Sequence, residues 1–242
     1  MKTLVSIGDF SGHWSAPWRD AGWRTVRVDP KLQAGLALGD NDVCVGSTAQ
    51  EWVRYVKHSS QHSKVDTLLM APPCTDFSVS GAQYWDKKDY DGRTAAALEI
   101  VDACLELVKV LQPRVWMLEN PVGRLPDLRP ELGKPKLYVQ PHHYAHFSDV
   151  PSADAYTKKT GLWGEFDHIA LGVMQGNVQP ERVCSQGSWL QQLGGSSERT
   201  KTLRSMTPQG LARACYMATT SQLYPGTYLW QEGISANWEH FA

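Results

Sequence analysis

The chain has 242 residues, 42% hydrophobic and 20% charged, which suits one globular domain with a sizeable core and excludes global disorder. A formal net charge of -1 excludes recognition of nucleic acid by overall charge, so any such affinity needs a local basic face. Five cysteines without paired spacing point to a reducing compartment, and with no long apolar span or signal peptide the protein is expected to be soluble and cytoplasmic.

Thr3-Leu4-Val5-Ser6-Ile7 reads as a first strand, followed by the turn Gly8-Asp9-Phe10-Ser11-Gly12-His13-Trp14-Ser15. Ser15 is a candidate N-cap, Pro17 suits a first helical turn, and Gly22 suits a stop. Thr25-Val26-Arg27-Val28-Asp29, closed by Pro30, completes a βαβ unit. In such a unit a small-residue turn lets a ligand approach the backbone, and an acidic residue at the second strand end accepts hydrogen bonds from ribose hydroxyls. The turn lacks the three glycines of a dinucleotide fingerprint. Asp42-Val43-Cys44-Val45-Gly46 is a third strand, after which Ser47 or Thr48 caps a helix through Trp52, Val53, Tyr55 and Val56. Asp40 and Asp42 are read equally well as turn residues.

The run Val65–Met70 is a buried strand that ends in the rigid loop Ala71-Pro72-Pro73-Cys74. Strand carboxyl ends are where open α/β sheets bind ligands, so Cys74 is a candidate nucleophile; its other reading is a packed structural thiol. The polar stretch from Thr75 to Tyr90 is expected to be a mobile surface loop able to close over a site. Arg93-Thr94 opens a long helix with Ala97, Leu98, Val101, Leu105, Val108 and Leu111 at helical spacing. The strand Arg114–Pro121 then brings Glu119 and Asn120 to the same sheet edge as Cys74.

From Pro121 to Pro141 the chain is rich in proline and carries Arg124, Arg129, Lys134 and Lys136, which suit either phosphate contact or a solvated loop. Lys136–Gln140 reads as a strand. His142, His143 and His146 invite a metal hypothesis, but no local carboxylate or cysteine pair completes a site, so no metal is expected. Between Phe166 and Lys201 there is no clear periodicity, and Thr207-Pro208 starts a further helix. The ten tryptophans are core or stacking surfaces, and composition does not choose between them.

Pro72-Pro73-Cys74 and Glu119-Asn120-Pro121, in this order, resemble the nucleophile and Glu-Asn-Val motifs of the DNA (cytosine-5) methyltransferases. Arg204-Ser205-Met206-Thr207-Pro208-Gln209-Gly210-Leu211-Ala212-Arg213 is similar to the family's Arg-x-Leu-Thr-Pro-x-Glu-x-Ala-Arg, with Gly210 where Glu is usual. The resemblance implies a doubly wound, mostly parallel α/β sheet of the S-adenosylmethionine-dependent, Rossmann-like type. It implies a catalytic and cofactor domain over 1–165, a short recognition region over 166–201, and a returning C-terminal helix and tail over 202–242.

By the same resemblance, S-adenosylmethionine is bound by Asp9, Phe10, Ser11, Gly12, Trp14, Asp29, Ser47 and Pro72, although the family's Phe-x-Gly-x-Gly loop is altered here. Gly39-Asp40 matches the family's adenine-contacting Gly-Asp pair in letters, whereas Gly46-Ser47 matches it in position. Lys158 and Lys159 stand where the family has arginines that hold the flipped cytosine and its phosphate, and a lysine lacks their planar fork. Pro73, Ser78, Arg204 and Arg213 complete the implied DNA contacts. The family's last motif is at best a remnant at Gly233-Ile234-Ser235-Ala236-Asn237.

The implied activity is methyl transfer to C5 of cytosine in double-stranded DNA. Cys74 would add covalently to the flipped base, Glu119 would hold its Watson–Crick edge and Asn120 would orient Glu119 or the loop. A monomer is expected, with no membrane partner. Two alternatives remain open: the same chemistry on single-stranded DNA, RNA or a nucleotide, and a DNA- or cofactor-binding relative without turnover.

Overall fold

The computed structural model describes residues 1–33, 41–59, 64–184, 188–194 and 197–223. The Gly39-Asp40 pair and the Gly233–Asn237 remnant lie outside them.

Within the described residues the strands are β1 (Thr3–Ile7), β2 (Arg24–Val28), β3 (Asp42–Val45), β4 (Thr67–Met70), β5 (Val115–Pro121), β6 (Leu137–Val139) and β7 (Thr160–Glu165). They form one sheet in the order β3-β2-β1-β4-β5-β7-β6. β1 to β5 are mutually parallel, and β7 runs antiparallel to both β5 and β6. Helices α1 (Ala16–Asp20), α2 (Ala49–His58), α3 (Trp85–Tyr90), α4 (Arg93–Leu111), α5 (Leu125–Leu128), α6 (Pro151–Asp154), α7 (His168–Val173), α8 (Glu198–Ser205) and α9 (Gln209–Leu223) complete the layers. This is the doubly wound, Rossmann-like α/β sheet that the sequence implies.

The parallel strands are buried on both faces, which is why they read as continuous apolar runs. On one face Leu4, Leu69 and Met117 pack with Trp18 of α1 and with Leu211 and Ala218 of α9. On the other, Val5, Leu68, Met70 and Leu118 pack with Val53 of α2 and Val101 of α4. The order reverses between β1 and β4, the switch point beyond whose strand ends such sheets bind ligands. There Gly8 has φ 76°, and a side chain on it would strike the Ala71 carbonyl.

The stretch expected to be a mobile loop after Cys74 is instead a 3₁₀ turn, Val79–Tyr84, running into α3. Buried Lys88 reaches back to the Thr75 carbonyl and pairs with Asp76 at 3.3 Å. Arg124 bonds both carboxylate oxygens of Asp89 at 2.7 Å and lies over the Trp85 ring. Charges in this polar segment thus find partners within the fold, which a reading by polarity alone does not anticipate.

β7 also escapes sequence reading, because Gly161 and Gly164 weaken its strand signal. Gly164 is required by the close approach of the Trp116 carbonyl on β5. Between 166 and 201 the chain forms α7, the 3₁₀ turn Trp189–Leu193 and the start of α8. Bridges between Tyr156 and Arg182 and between Lys158 and Ser188 tie this region to the extended segment that leads into β7.

Candidate active site

The register of the sheet brings the predicted nucleophile and carboxylate together. Met70 at the end of β4 pairs with Leu118 of β5, so Glu119 and Asn120 lie beside the chain that enters Pro72-Pro73-Cys74. Asn120 is fully buried and its Nδ2 donates to the Pro72 carbonyl at 3.1 Å. That bond ties the cysteine loop to β5, while Asn120 Oδ1 has no hydrogen-bond partner among the described residues. On the far side of Cys74, its carbonyl accepts from the Phe77 and Ser78 amides at 3.1 and 2.9 Å. The half-buried thiol is thus held by a compact turn. Pro73 is exposed and Pro72 buried. Ser78 is buried, and its hydroxyl accepts from the Ser80 amide at 3.2 Å.

Lys158 completes the cluster. Its Nζ lies 3.7 Å from Glu119 Oε1, with both side chains mostly buried. Burial works against the ammonium, but Glu119, Tyr156 and Cys74 outweigh it and carry Lys158 above the usual lysine value. Burial pushes the Cys74 thiol above its ordinary value; Lys158 pulls it down, while Glu119 and Asp76 push it up. Tyr156 is the group that sequence reading misses: it is buried, pushed up to about 12 by burial, and coupled to both Lys158 and Glu119. Alternation would have found it, since Tyr156, Lys158 and Thr160 point inward in turn. The same alternation parts the two lysines. Lys159 points outward, its Nζ 4.7 Å from the centre of the Tyr138 ring.

A narrow cleft runs from Glu119 and Lys158 past Trp14 and Cys215 to Ser205, Thr207 and Pro208. Gly210, in the position where the family has Glu, is packed so closely on the Tyr144 carbonyl that no side chain fits, and its amide donates to Asp154 at 2.8 Å. Arg204 and Arg213 are engaged within the chain. Arg204 donates to the Leu190 and Gln191 carbonyls at 3.1 and 3.3 Å. Arg213 donates to the Phe147 carbonyl at 2.8 Å and pairs with Asp149 at 2.6 Å.

The residues assigned to the cofactor all lie near the ends of β1 to β4, but several are turned inward. Asp9 is buried and accepts from Ser6 Oγ at 3.2 Å and from the Ser15 amide at 3.0 Å. Trp14 is core. Gly12, with φ 71°, makes room for the Arg27 guanidinium, which is buried against Asp42. Ser47 bonds to the Thr48 carbonyl and Glu51, beside the box in which Thr48 and Glu51 cap α2.

Phe10 and Ser11 keep lighter contacts: Lys31 Nζ lies 5.8 Å from the centre of the Phe10 ring, and Ser11 Oγ accepts from the His13 amide at 3.4 Å. With Leu32, Gln33, Arg27, Lys31 and Cys44 they line a cavity of about 300 Å³. At the end of β2, the Asp29 Oδ1 accepts from the Lys31 amide at 2.9 Å. Burial raises the Asp29 carboxyl above its usual value; the Lys31 amide and ammonium oppose this, and Asp9 adds to it.

The three histidines sit on the 3₁₀ turn Pro141–Phe147, with His142 Nδ1 2.8 Å from the Val178 carbonyl. Among the described residues no group of three His, Cys, Asp or Glu side chains is placed to hold a metal. Nor, among them, is any helix long and apolar enough to cross a membrane.

No protein-family model and no curated protein matches the chain. Among solved structures, the chain is similar to an E. coli protein provisionally described as a DNA modification methyltransferase encoded within a prophage. Identity is 14% and the TM-score 0.45, over 74% of this chain and 52% of that one. The chain therefore spans about half the length of that structure, and a likeness at this level adds nothing to what the sheet order itself shows.

Proposed function

We propose that the protein is an S-adenosylmethionine-dependent DNA (cytosine-5) methyltransferase. The observation that carries this reading is the meeting of the Cys74 loop and Glu119 at two adjacent strand ends, tied by the bond from Asn120 to the Pro72 carbonyl, with Lys158 3.7 Å from Glu119. A thiol beside a carboxylate suits a ring carbon that needs covalent activation before alkylation. The Cys74 sulfur would form a bond to C6 of a cytosine turned out of its stack, with Glu119 at N3 and Lys158 opposing the charge that develops on the ring. S-adenosylmethionine, when bound, supplies the electrophilic methyl group that C5 takes. A water molecule acting as base then takes the C5 proton, the C5–C6 double bond re-forms, and the C6–sulfur bond breaks to release the Cys74 thiolate.

The residues at the β1 and β2 ends suit the cofactor. The cavity of about 300 Å³ lies at the lower end of the range for small-molecule sites and presents the Phe10 ring and Leu32 as apolar walls. Asp29 keeps one carboxylate oxygen free of the Lys31 amide for hydroxyl donors.

A second reading, the same chemistry on single-stranded DNA, RNA or a nucleotide, is favoured by the cations. Arg124, Arg129, Arg204 and Arg213 all engage partners within the chain, which lessens what they offer a duplex backbone.

The deciding measurement is transfer of labelled methyl groups to duplex DNA, single-stranded DNA, RNA and cytidine nucleotides, with identification of the modified base. The expected product is 5-methylcytosine in duplex DNA. Its appearance only in another substrate moves the function to the second reading. Cofactor or DNA binding without transfer to any substrate ends the catalytic one.

A further inference from the structure

We propose that Arg182 is a positioning residue of the candidate site, the clasp that sets Lys158 against Glu119. Its meaning for catalysis rests on the methyl-transfer reading, while its hold on the chain is measurable without turnover.

Lys158 stands on a segment that the sheet itself does not secure. Ladder pairing of β7 with β5 begins at Thr160, and the Val122 amide bonds the Lys159 carbonyl at 3.1 Å. Ahead of that point the segment is held by chain from the expected recognition region. The Glu181 and Arg182 amides donate to the Ala155 carbonyl at 2.9 and 3.1 Å, and the Thr157 amide donates to the Arg182 carbonyl at 3.0 Å. The Trp189 amide donates to the Thr157 carbonyl at 3.0 Å, and the Cys184 amide to Thr157 Oγ1 at 2.8 Å. The pairings of Tyr156 with Arg182 and of Lys158 with Ser188 are isolated bridges, one parallel and one antiparallel. Among the described residues, no continuous ladder joins the two stretches.

The side chain of Arg182 supplies the missing anchor. Its Nη2 donates to the Ser152 and Ala153 carbonyls, both at 2.6 Å. These belong to α6, a helix of 4 residues that cannot furnish donors for its own last carbonyls. The guanidinium carbon lies 5.4 Å from the centre of the Tyr156 ring and 4.9 Å from that of Trp189. One planar cation therefore joins α6, the Lys158 segment and the 3₁₀ turn that starts at Trp189, using both its edge and its faces.

The path from clasp to site is short. Tyr156 and Lys158 are buried on the same side of an extended segment, so displacing the Tyr156 ring displaces Lys158 with it. The Lys158 ammonium meets Glu119 at 3.7 Å, wider than a direct hydrogen bond. A pair at this separation does not hold the segment by itself, and its geometry follows the backbone.

The test uses the full chain and two variants. Arg182→Met removes the charge and the donors; Arg182→Lys keeps a donor for the two carbonyls and loses the flat faces. Amide hydrogen exchange is read at Thr157 and Trp189, whose bonds cross between the two stretches, with β4 and β5 as internal reference. In Arg182→Met, exchange at both amides is expected to rise about tenfold while β4 and β5 stay as in the parent. Arg182→Lys is expected to fall between the two. Parent-level exchange at Thr157 in Arg182→Met overturns the proposal. If β4 and β5 also exchange faster, that variant is globally destabilised and Arg182→Lys decides. A rise confined to Thr157 and Trp189 then sustains the proposal; parent-level exchange there, or a rise shared by β4 and β5, overturns it.

Methyl transfer supplies the readout that a purely structural role does not move. In Arg182→Met, kcat is expected to fall at least about tenfold with KM for S-adenosylmethionine unchanged, and in Arg182→Lys to recover in part. Faster exchange with the parent kcat, or a loss confined to KM, overturns the positioning role. If the parent transfers methyl to no substrate, the methyltransferase reading fails, and the exchange result alone decides whether Arg182 holds the segment.

Discussion

The two halves of the sheet's carboxyl edge differ in what their polar groups face. At β4 and β5, Cys74, Glu119 and Lys158 come from three separate stretches of chain and converge on one another. At β1 to β3, Asp9, Gly12 and Ser47 answer to neighbours in their own turns or to the strand below, while Phe10 and Ser11 line a cavity and Asp29 accepts from the Lys31 amide. A buried polar group must find a partner, and a short turn supplies its own. Groups brought together from distant segments instead find their partners across the fold, as Lys158 finds Glu119.

The comparison breaks most readily at Cys74. Cys74→Ala should lower methyl transfer at least about a thousandfold while DNA retention in a gel-shift assay stays as in the parent; surviving transfer would remove the β4–β5 half from the chemistry. Next in size is Asn120→Ala, which removes the bond from its Nδ2 to the Pro72 carbonyl that ties β5 to the cysteine loop. It should cost about 1–3 kcal/mol in urea unfolding and reduce transfer as well. An unchanged unfolding midpoint would mean that the loop holds itself.

At the other half, calorimetry of S-adenosylmethionine binding should show roughly a tenfold loss for Asp29→Asn, the scale of one charge-assisted hydrogen bond. Ser47→Ala, whose hydroxyl is already engaged with Thr48 and Glu51, should change little. Equal losses would erase the distinction between inward and outward groups.

The smallest expected effect is on the segment over the site. Hydrogen bonds from Arg124 and then Thr94 hold the Asp89 carboxyl at about 2, below its unfolded value. The tether is therefore fully present above the ordinary carboxylate range and is lost as pH falls toward 2. Pepsin cleavage within Val79–Tyr90 should rise over that interval, and Arg124→Met should lessen the rise. A parent cleavage rate flat across the interval would separate this segment from its ion pair.

Much of the sheet is legible from sequence. β1, β2, β4 and β5 announce themselves because a parallel strand covered on both faces is a short unbroken apolar run. β7 does not, since its two glycines answer to neighbouring chain rather than to strand propensity. The adjacency of Cys74 and Glu119 follows from two such strands ending at the same edge. Which of Lys158 and Lys159 turns inward required the register of β7 on β5, and Trp14, an equal candidate for core and for stacking, is placed in the core only by the packing of the first face.

What the sequence by itself determined was the set of strands and the chemistry carried at their ends, because burial periodicity and residue type are local properties. What only the tertiary structure decided was which polar groups meet one another and which close on themselves, because hydrogen bonds and ion pairs depend on distances between segments far apart in the chain.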